Sequence, residues 1–249
     1  PISYGLIALN LLGFVLEIVW GIVRYDDWNG SQNINVLVDL GAKVNEYIAL
    51  DGEYWRLFTA MFLHIGILHL LFNLYALYAI GSLVESYYGH WRYAVIFLLG
   101  GLFGSLGSYA FSDSVSAGAS GGIFAITGAA AVYFFLYRDN FGARGRAVLQ
   151  NIVIVIAVNM AFGIAGQGVD NWGHLGGLIG GLLLGWGLAP RYEPNPSAAL
   201  LPAEPQAMGI RERTGAEVTW IVLCLVLFAV ATYGRTAQMT SQFQSIWGS

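Results

Sequence analysis

The sequence predicts an all-α polytopic membrane helical bundle, a six-span core followed by a seventh C-terminal transmembrane helix. Three observations lead there. Of 249 residues, 57% are hydrophobic and only 10% are Asp, Glu, Lys or Arg, against about 25% charged in soluble domains. Seven apolar stretches approach the length needed to cross a membrane, roughly 20 helical residues for a ~30 Å hydrocarbon core. Glycine, with 33 residues, is commoner in membrane helices than in soluble ones. The apolar runs are continuous and not ten-residue alternations, which disfavours a β-barrel. The same composition excludes a disordered chain. With 11 basic against 15 acidic residues there is no nucleic-acid footprint. The single cysteine, Cys224, excludes an internal disulfide framework or a cysteine-based zinc knuckle.

The first expected span is residues 2–23. A long mixed loop, 24–56, follows, with Trp28, Tyr47, Tyr54 and Trp55 suited to the membrane–water interface. The second stretch, 58–84, is long because 58–67 lies at the surface before the true span. Spans three to six are expected at 93–111, 119–137, 147–162 and 172–188. Pro190, Pro194, Pro196, Pro202 and Pro205 then make an extended linker, which isolates a seventh span at 218–233. The organisation is a core over 1–189, a linker over 190–216, and the seventh helix with its tail over 217–249.

Orientation follows from Lys and Arg in the loops. With a cytosolic N-terminus, the inner loops hold Arg92; Arg138, Arg144 and Arg146; and Arg191, Arg211 and Arg213. The short outer loops, 112–118 and 163–171, hold no basic residue. Long loops weigh less in this rule, so Arg24, Lys43 and Arg56 in the first loop do not reverse it. The C-terminus is then outside, and the expected location is the plasma membrane.

Polar side chains inside a span are expensive, and His64, His69, Asn73, Ser120 and His174 stand out. Each alone could be a hydrogen bond joining two helices. Spans two, four and six run in the same direction, however. His69 lies 16 residues before Glu85, Ser120 lies 18 before Arg138, and His174 lies 17 before Arg191. At 1.5 Å per residue these are about 24, 27 and 26 Å from the inner ends, a common level near the outer boundary. Residues that only join helices have no reason to share a plane.

Ser120 opens the fourth span within Gly118-Ala119-Ser120-Gly121-Gly122, where unpaired helix N-terminal N–H groups favour a nearby negative charge. His69 and Asn73 stand at i,i+4 on one helix face and can address one oxygen. Gly173, Gly177, Gly181 and Gly185 repeat a small residue every fourth position, the pattern of close helix contact. If that stripe meets the start of span four, His174 reaches Ser120 and can act as its general base.

These residues resemble the rhomboid intramembrane serine proteases over nearly the whole chain. Trp55-Arg56 is similar to the family's first-loop pair, and His64-x4-His69-x3-Asn73 to its second-span motif. Gly81-x3-Glu85-x3-Gly89 follows at that span's inner end. Gly118-Ala119-Ser120-Gly121 resembles the GxSG nucleophile motif, and His174-Leu175-Gly176-Gly177 the base-bearing sixth span. The resemblance implies a Ser120–His174 dyad without an acid, and an oxyanion hole from the Ser120 backbone N–H with His69 and Asn73. It implies transmembrane protein substrates in the lipid bilayer and no cofactor or metal. One position departs: some members carry Tyr where this chain has Phe124, which keeps stacking on the base and loses a hydroxyl.

Supporting roles are expected for His64, in holding the first loop or touching substrate, and for Trp55 and Arg56 in anchoring that loop. Asp170, four residues before His174, is read as a helix N-cap in preference to a third catalytic member. The loop 163–171 is a candidate lid, and span five a candidate route for substrate. A soluble α/β-hydrolase is disfavoured because residues 113–117 are no buried strand before the serine. A metalloprotease lacks HExxH and a carboxylate beside its histidines. A non-catalytic adaptor of the same fold would keep its function in Ser120→Ala.

Overall fold

The structure is a computed structural model and describes residues 1–165, 169–194 and 208–247. It is a helical bundle of the polytopic membrane type. Helix α1 (Ile2–Tyr25) is followed by three short helices of the first loop, α2 (Ile34–Asp39), α3 (Asn45–Leu50) and α4 (Arg56–Thr59). Helix α5 (Ile67–Ala76) passes through a π turn (Leu77–Gly81) into α6 (Ser82–Tyr88). Then come α7 (His90–Phe111), α8 (Ser120–Leu136), α9 (Arg138–Ala165), α10 (Asn171–Leu188) and α11 (Thr214–Trp247). Among the described residues, four helices are long and apolar enough to cross a membrane: Ile2–Tyr25, Ile67–Tyr88, His90–Phe111 and Thr214–Ser245; Ser120–Leu136 and Gly145–Ala161 are shorter and apolar.

The first loop gains detail, and two helix bounds differ from those expected. The loop folds into α2–α4 around Arg56, whose guanidinium donates to the carbonyls of Val38 and Ala42 and pairs with Glu53. The same guanidinium stacks on Tyr47 and Trp55 at 4.8 and 4.7 Å. Arg56 is therefore buried inside the loop, while Trp55 is exposed. The fifth helix begins nine residues early, at Arg138, and bends at Gly142, where φ is 52°; only a glycine takes that conformation readily. The seventh helix continues to Trp247 because helix need not stop where hydrocarbon does. The linker is described only in part, at 190–194 and 208–216. Its described ends pair as antiparallel strands, β1 (Tyr192–Pro194) with β2 (Met208–Ile210), and 195–207 lie outside the described residues.

Helices α7, α8 and α10 form the centre, and glycine lets them touch. A β-carbon at Gly177 would sit 2.1 Å from the Gly121 carbonyl oxygen, and one at Gly181 2.0 Å from that of Ala125. A β-carbon at Gly185 would sit 2.7 Å from Ala129 Cα. The opposite edge of α10, Gly176 and Gly180, lies against Phe103 and Gly107 of α7. Helix α10 therefore carries two small-residue stripes. The sequence reading identified the stripe that meets α8 and did not assign the one that meets α7.

The outer elements are tied by buried polar pairs. Glu85 accepts hydrogen bonds from Ser3 Oγ and from the backbone N–H groups of Ile2 and Ser3, which joins α6 to the start of α1. Arg92 pairs with Glu217 at 3.0 Å and Trp220 donates to the Leu183 carbonyl, so α11 is fastened to both α7 and α10.

Candidate active site

Ser120 is the first residue of α8 and His174 lies in the first turns of α10. The Ser120 hydroxyl is 3.0 Å from His174 Nε2. The Phe124 ring lies one turn below Ser120 and stacks on the imidazole, centroids 4.3 Å apart and planes 12° from parallel. The stack leaves Nε2 aimed at the serine, and His174 is buried. The depth argument from sequence and the small-residue contact therefore bring the two residues together.

The turn before Ser120 is held from the first loop. Lys43 and Ser116 exchange backbone hydrogen bonds of 2.9 and 3.2 Å, and the Gly118 N–H donates to the Ala60 carbonyl at 2.8 Å. Lys43 Nζ donates to the Ser112 carbonyl at 2.8 Å and to Asn45 Oδ1 at 3.0 Å. Burial pushes the Lys43 ammonium down to about 8, against the pull of Asp170, Asp113 and Glu46. Sequence reasoning assigned Lys43 no role beyond its charge.

Gly118 has φ 142°, and a β-carbon there would lie 2.6 Å from His69 Cε1 and 2.8 Å from Nε2. The imidazole of His69 therefore occupies the space over the serine turn. Its Nδ1 accepts the Ile65 N–H at 3.3 Å. An accepting Nδ1 leaves the proton of a neutral imidazole on Nε2, on the side facing Gly118. Asn73 is buried one turn below on α5, and its amide nitrogen donates to the His69 carbonyl at 2.8 Å. One of its two N–H groups is thus engaged within its own helix. His64 is fully buried, edge-on to His69 with centroids 5.2 Å apart. Gly121 serves the close approach of α8 to α10. Trp55 and Arg56 belong to the first-loop cluster. Among the described residues, no three His, Cys, Asp or Glu side chains converge as a metal site.

Asp170 caps α10: its Oδ1 accepts the Gly173 N–H at 2.9 Å and its carbonyl accepts the His174 N–H at 3.1 Å. Its Oδ2 and His174 Nδ1 are both buried without a hydrogen-bond partner among the described residues, so the two are not bonded to each other. Asp170→Ala is expected to lower thermal stability by about 0.5–2 kcal/mol, as lost N-caps do, with cleavage changed only a few-fold. Loss of activity as complete as in His174→Ala, measured on protein that melts normally, would make Asp170 a third catalytic member.

One residue escaped the sequence reading. Glu17 is a carboxylate in the middle of the first apolar stretch and is fully buried. An ionisable side chain inside a span was the available signal.

Of the candidate lid, residues 163–165 belong to α9 and 166–168 lie outside the described residues. A cavity of about 70 Å³ near Phe124 is lined by that residue, Thr127, Ile80, Val155 and Asn159 among others. It separates α5 and α8 from α9.

Comparison with known proteins gives one family. A model of the rhomboid domain matches residues 51–191. The chain is 45% identical over 179 residues to rhomboid protease GluP of Bacillus subtilis (strain 168), covering 72% of this chain and 33% of that one. It is 31% identical over 214 residues to RHOMBOID-like protein 7 of Arabidopsis thaliana, covering 84% and 66%. With RHOMBOID-like protein 1 of the same plant it shares 32% over 210 residues, covering 80% and 51%. The chain thus spans between one third and two thirds of the length of these relatives.

Proposed function

The chain belongs to the rhomboid family, and from that premise we propose that it is an intramembrane serine endopeptidase that cleaves transmembrane proteins with a Ser120–His174 dyad. The observation that carries this is the 3.0 Å approach of Ser120 Oγ to His174 Nε2 in the turn covered by His69. Neutral His174 takes the Ser120 proton as the hydroxyl attacks the scissile carbonyl. The resulting oxyanion is held by the Ser120 N–H, by His69 Nε2–H and by the second N–H of Asn73. His174 returns the proton to the leaving amine, and water then hydrolyses the acyl-enzyme with His174 again as base. His64 supports His69 from behind.

The catalytic core is residues 1–189, with 190–216 as linker and 217–249 as seventh helix and tail. The arginines of the inner loops support a cytosolic N-terminus and an outer C-terminus, with seven spans in the plasma membrane. This sets the dyad near the outer face. Substrates with small residues and locally unstable helices at the cleavage site reach it past α9, whose Val153, Ile154, Val155 and Val158 are exposed.

Removing one oxyanion donor typically costs about 10²–10³ in rate, so His69→Ala is expected to lower kcat by that factor with KM little changed. Cleavage of a transmembrane substrate in liposomes tests the reading as a whole. Wild type is expected to cut it on the outer side of the bilayer. An adaptor of the same fold would leave the substrate intact and keep its cellular function as Ser120→Ala.

A further inference from the structure

The polar groups that hold the turn into α5 include one the mechanism leaves unused. Glu17 on α1 is 0% exposed, and its Oε1 accepts the backbone N–H of His64, 47 residues on, at 2.6 Å. His64 begins the turn that leads into α5. The turn is closed by the Gly66 N–H, which donates to the carbonyls of His64 and Ser31, and Gly66 takes φ 85°. The next N–H in this turn, that of Ile65, is the one received by His69 Nδ1. Two successive peptide N–H groups are therefore divided between a carboxylate behind the site and the imidazole within it.

A buried N–H without an acceptor costs about 1–3 kcal/mol. The His64 peptide has its acceptor only while Glu17 is there, and rotation of that peptide moves the Ile65 N–H with it. If the Ile65 N–H leaves His69 Nδ1, nothing in this turn keeps the imidazole proton on Nε2, and a neutral ring with its proton on Nδ1 cannot donate to an oxyanion.

We propose that Glu17 is a positioning residue for the oxyanion hole: by holding the His64 peptide it sets the Ile65 N–H against His69 Nδ1, which keeps the donor proton on Nε2 over Gly118 and Ser120. The inference rests on the reading of Ser120, His174 and His69 given above. It adds a first-helix residue that never touches substrate, and it explains a buried carboxylate in a span where an apolar side chain would insert more readily.

The test is steady-state cleavage, by the full chain in liposomes, of a synthetic transmembrane peptide with a fluorophore–quencher pair and an Ala-Ser-rich outer end. Loss of part of one oxyanion donor sets the expected scale: Glu17→Leu lowers kcat about ten- to a hundredfold with KM within about twofold. Glu17→Gln retains a carbonyl acceptor and stays within about threefold of wild type. In a His69→Ala background, Glu17→Leu adds less than about twofold, because both changes remove one function. A loss carried by KM, a Gln variant as damaged as the Leu variant, or an undiminished effect in the His69→Ala background overturns the proposal. Nitrogen NMR of the wild type with labelled histidine does not depend on how any variant folds. A His69 proton on Nε2 supports the proposal, and one on Nδ1 overturns it. Cleavage retained by Ser120→Ala would be a different failure, one that removes the reading of the whole site and this inference with it.

Discussion

Ser120→Ala is expected to abolish both cleavage and covalent labelling by a fluorophosphonate, and His174→Ala to lower both by about 10⁴-fold or more, the scale seen when a serine–histidine pair is broken. In the proposed mechanism the serine supplies the atom that forms the acyl bond, so no neighbouring group can replace it. A hydroxyl at its ordinary acidity is a weak nucleophile, and its only base within hydrogen-bond reach among the described residues is His174 Nε2 at 3.0 Å. The double variant should be no worse than Ser120→Ala, since the two residues act as a unit. Asp170 is bonded to Gly173 and not to the imidazole, so orientation of His174 falls to Phe124 and the helix itself. Labelling that survives in His174→Ala would show that another base activates the serine. Failure of the wild type to label in a membrane-like environment would count against the dyad altogether.

Gly177→Ala carries the second large effect, although Gly177 is neither the proposed nucleophile nor its base. Its β-carbon would meet the Gly121 carbonyl oxygen at 2.1 Å, the carbonyl carbon at 2.8 Å and the Cα at 3.0 Å. All three are backbone atoms, so no rotamer can relieve the clash, and α8 and α10 must separate. Gly121 adjoins Ser120, and Gly177 is three residues after His174, so the separation falls directly on the dyad. A displacement near 1 Å can cost about 10² in rate. Overpacking of this kind also costs roughly 1–3 kcal/mol. Activity is expected to fall by about a hundredfold or more, with a lower melting temperature in detergent. Gly5→Ala is the control, since a β-carbon there meets nothing within 4 Å. It should leave activity unchanged. Equal behaviour of the two variants would mean that the glycine contact does not set the distance between serine and histidine.

His69 illustrates how the levels connect. Its place in the second span and its depth are legible in the sequence, because few polar residues interrupt the apolar runs and each residue of helix advances about 1.5 Å. Which nitrogen carries the proton is not legible. That depends on the Ile65 N–H, on a turn closed by Gly66, and on Glu17 from another helix. Asn73 makes the same point in reverse: its i,i+4 spacing from His69 fits two donors on one oxygen, yet one of its N–H groups is used on the His69 carbonyl.

By itself the sequence determined that this chain is a helical membrane protein, where its longest apolar helices run, and that a serine and two histidines lie at one depth. It could do so because the bilayer penalises every polar group along a single coordinate, the membrane normal, and a helix maps residue number onto that coordinate. The tertiary structure alone decided how the helices face one another. Two small-residue stripes on α10 point to different partners, Lys43 is buried against the serine turn, and Arg92 finds Glu217 on the last helix. Rotation about a helix axis and contacts between distant residues leave little trace in a hydrophobicity pattern. A buried carboxyl such as that of Glu17 announces only that some partner exists, and here that partner is a backbone N–H, which every residue except proline possesses.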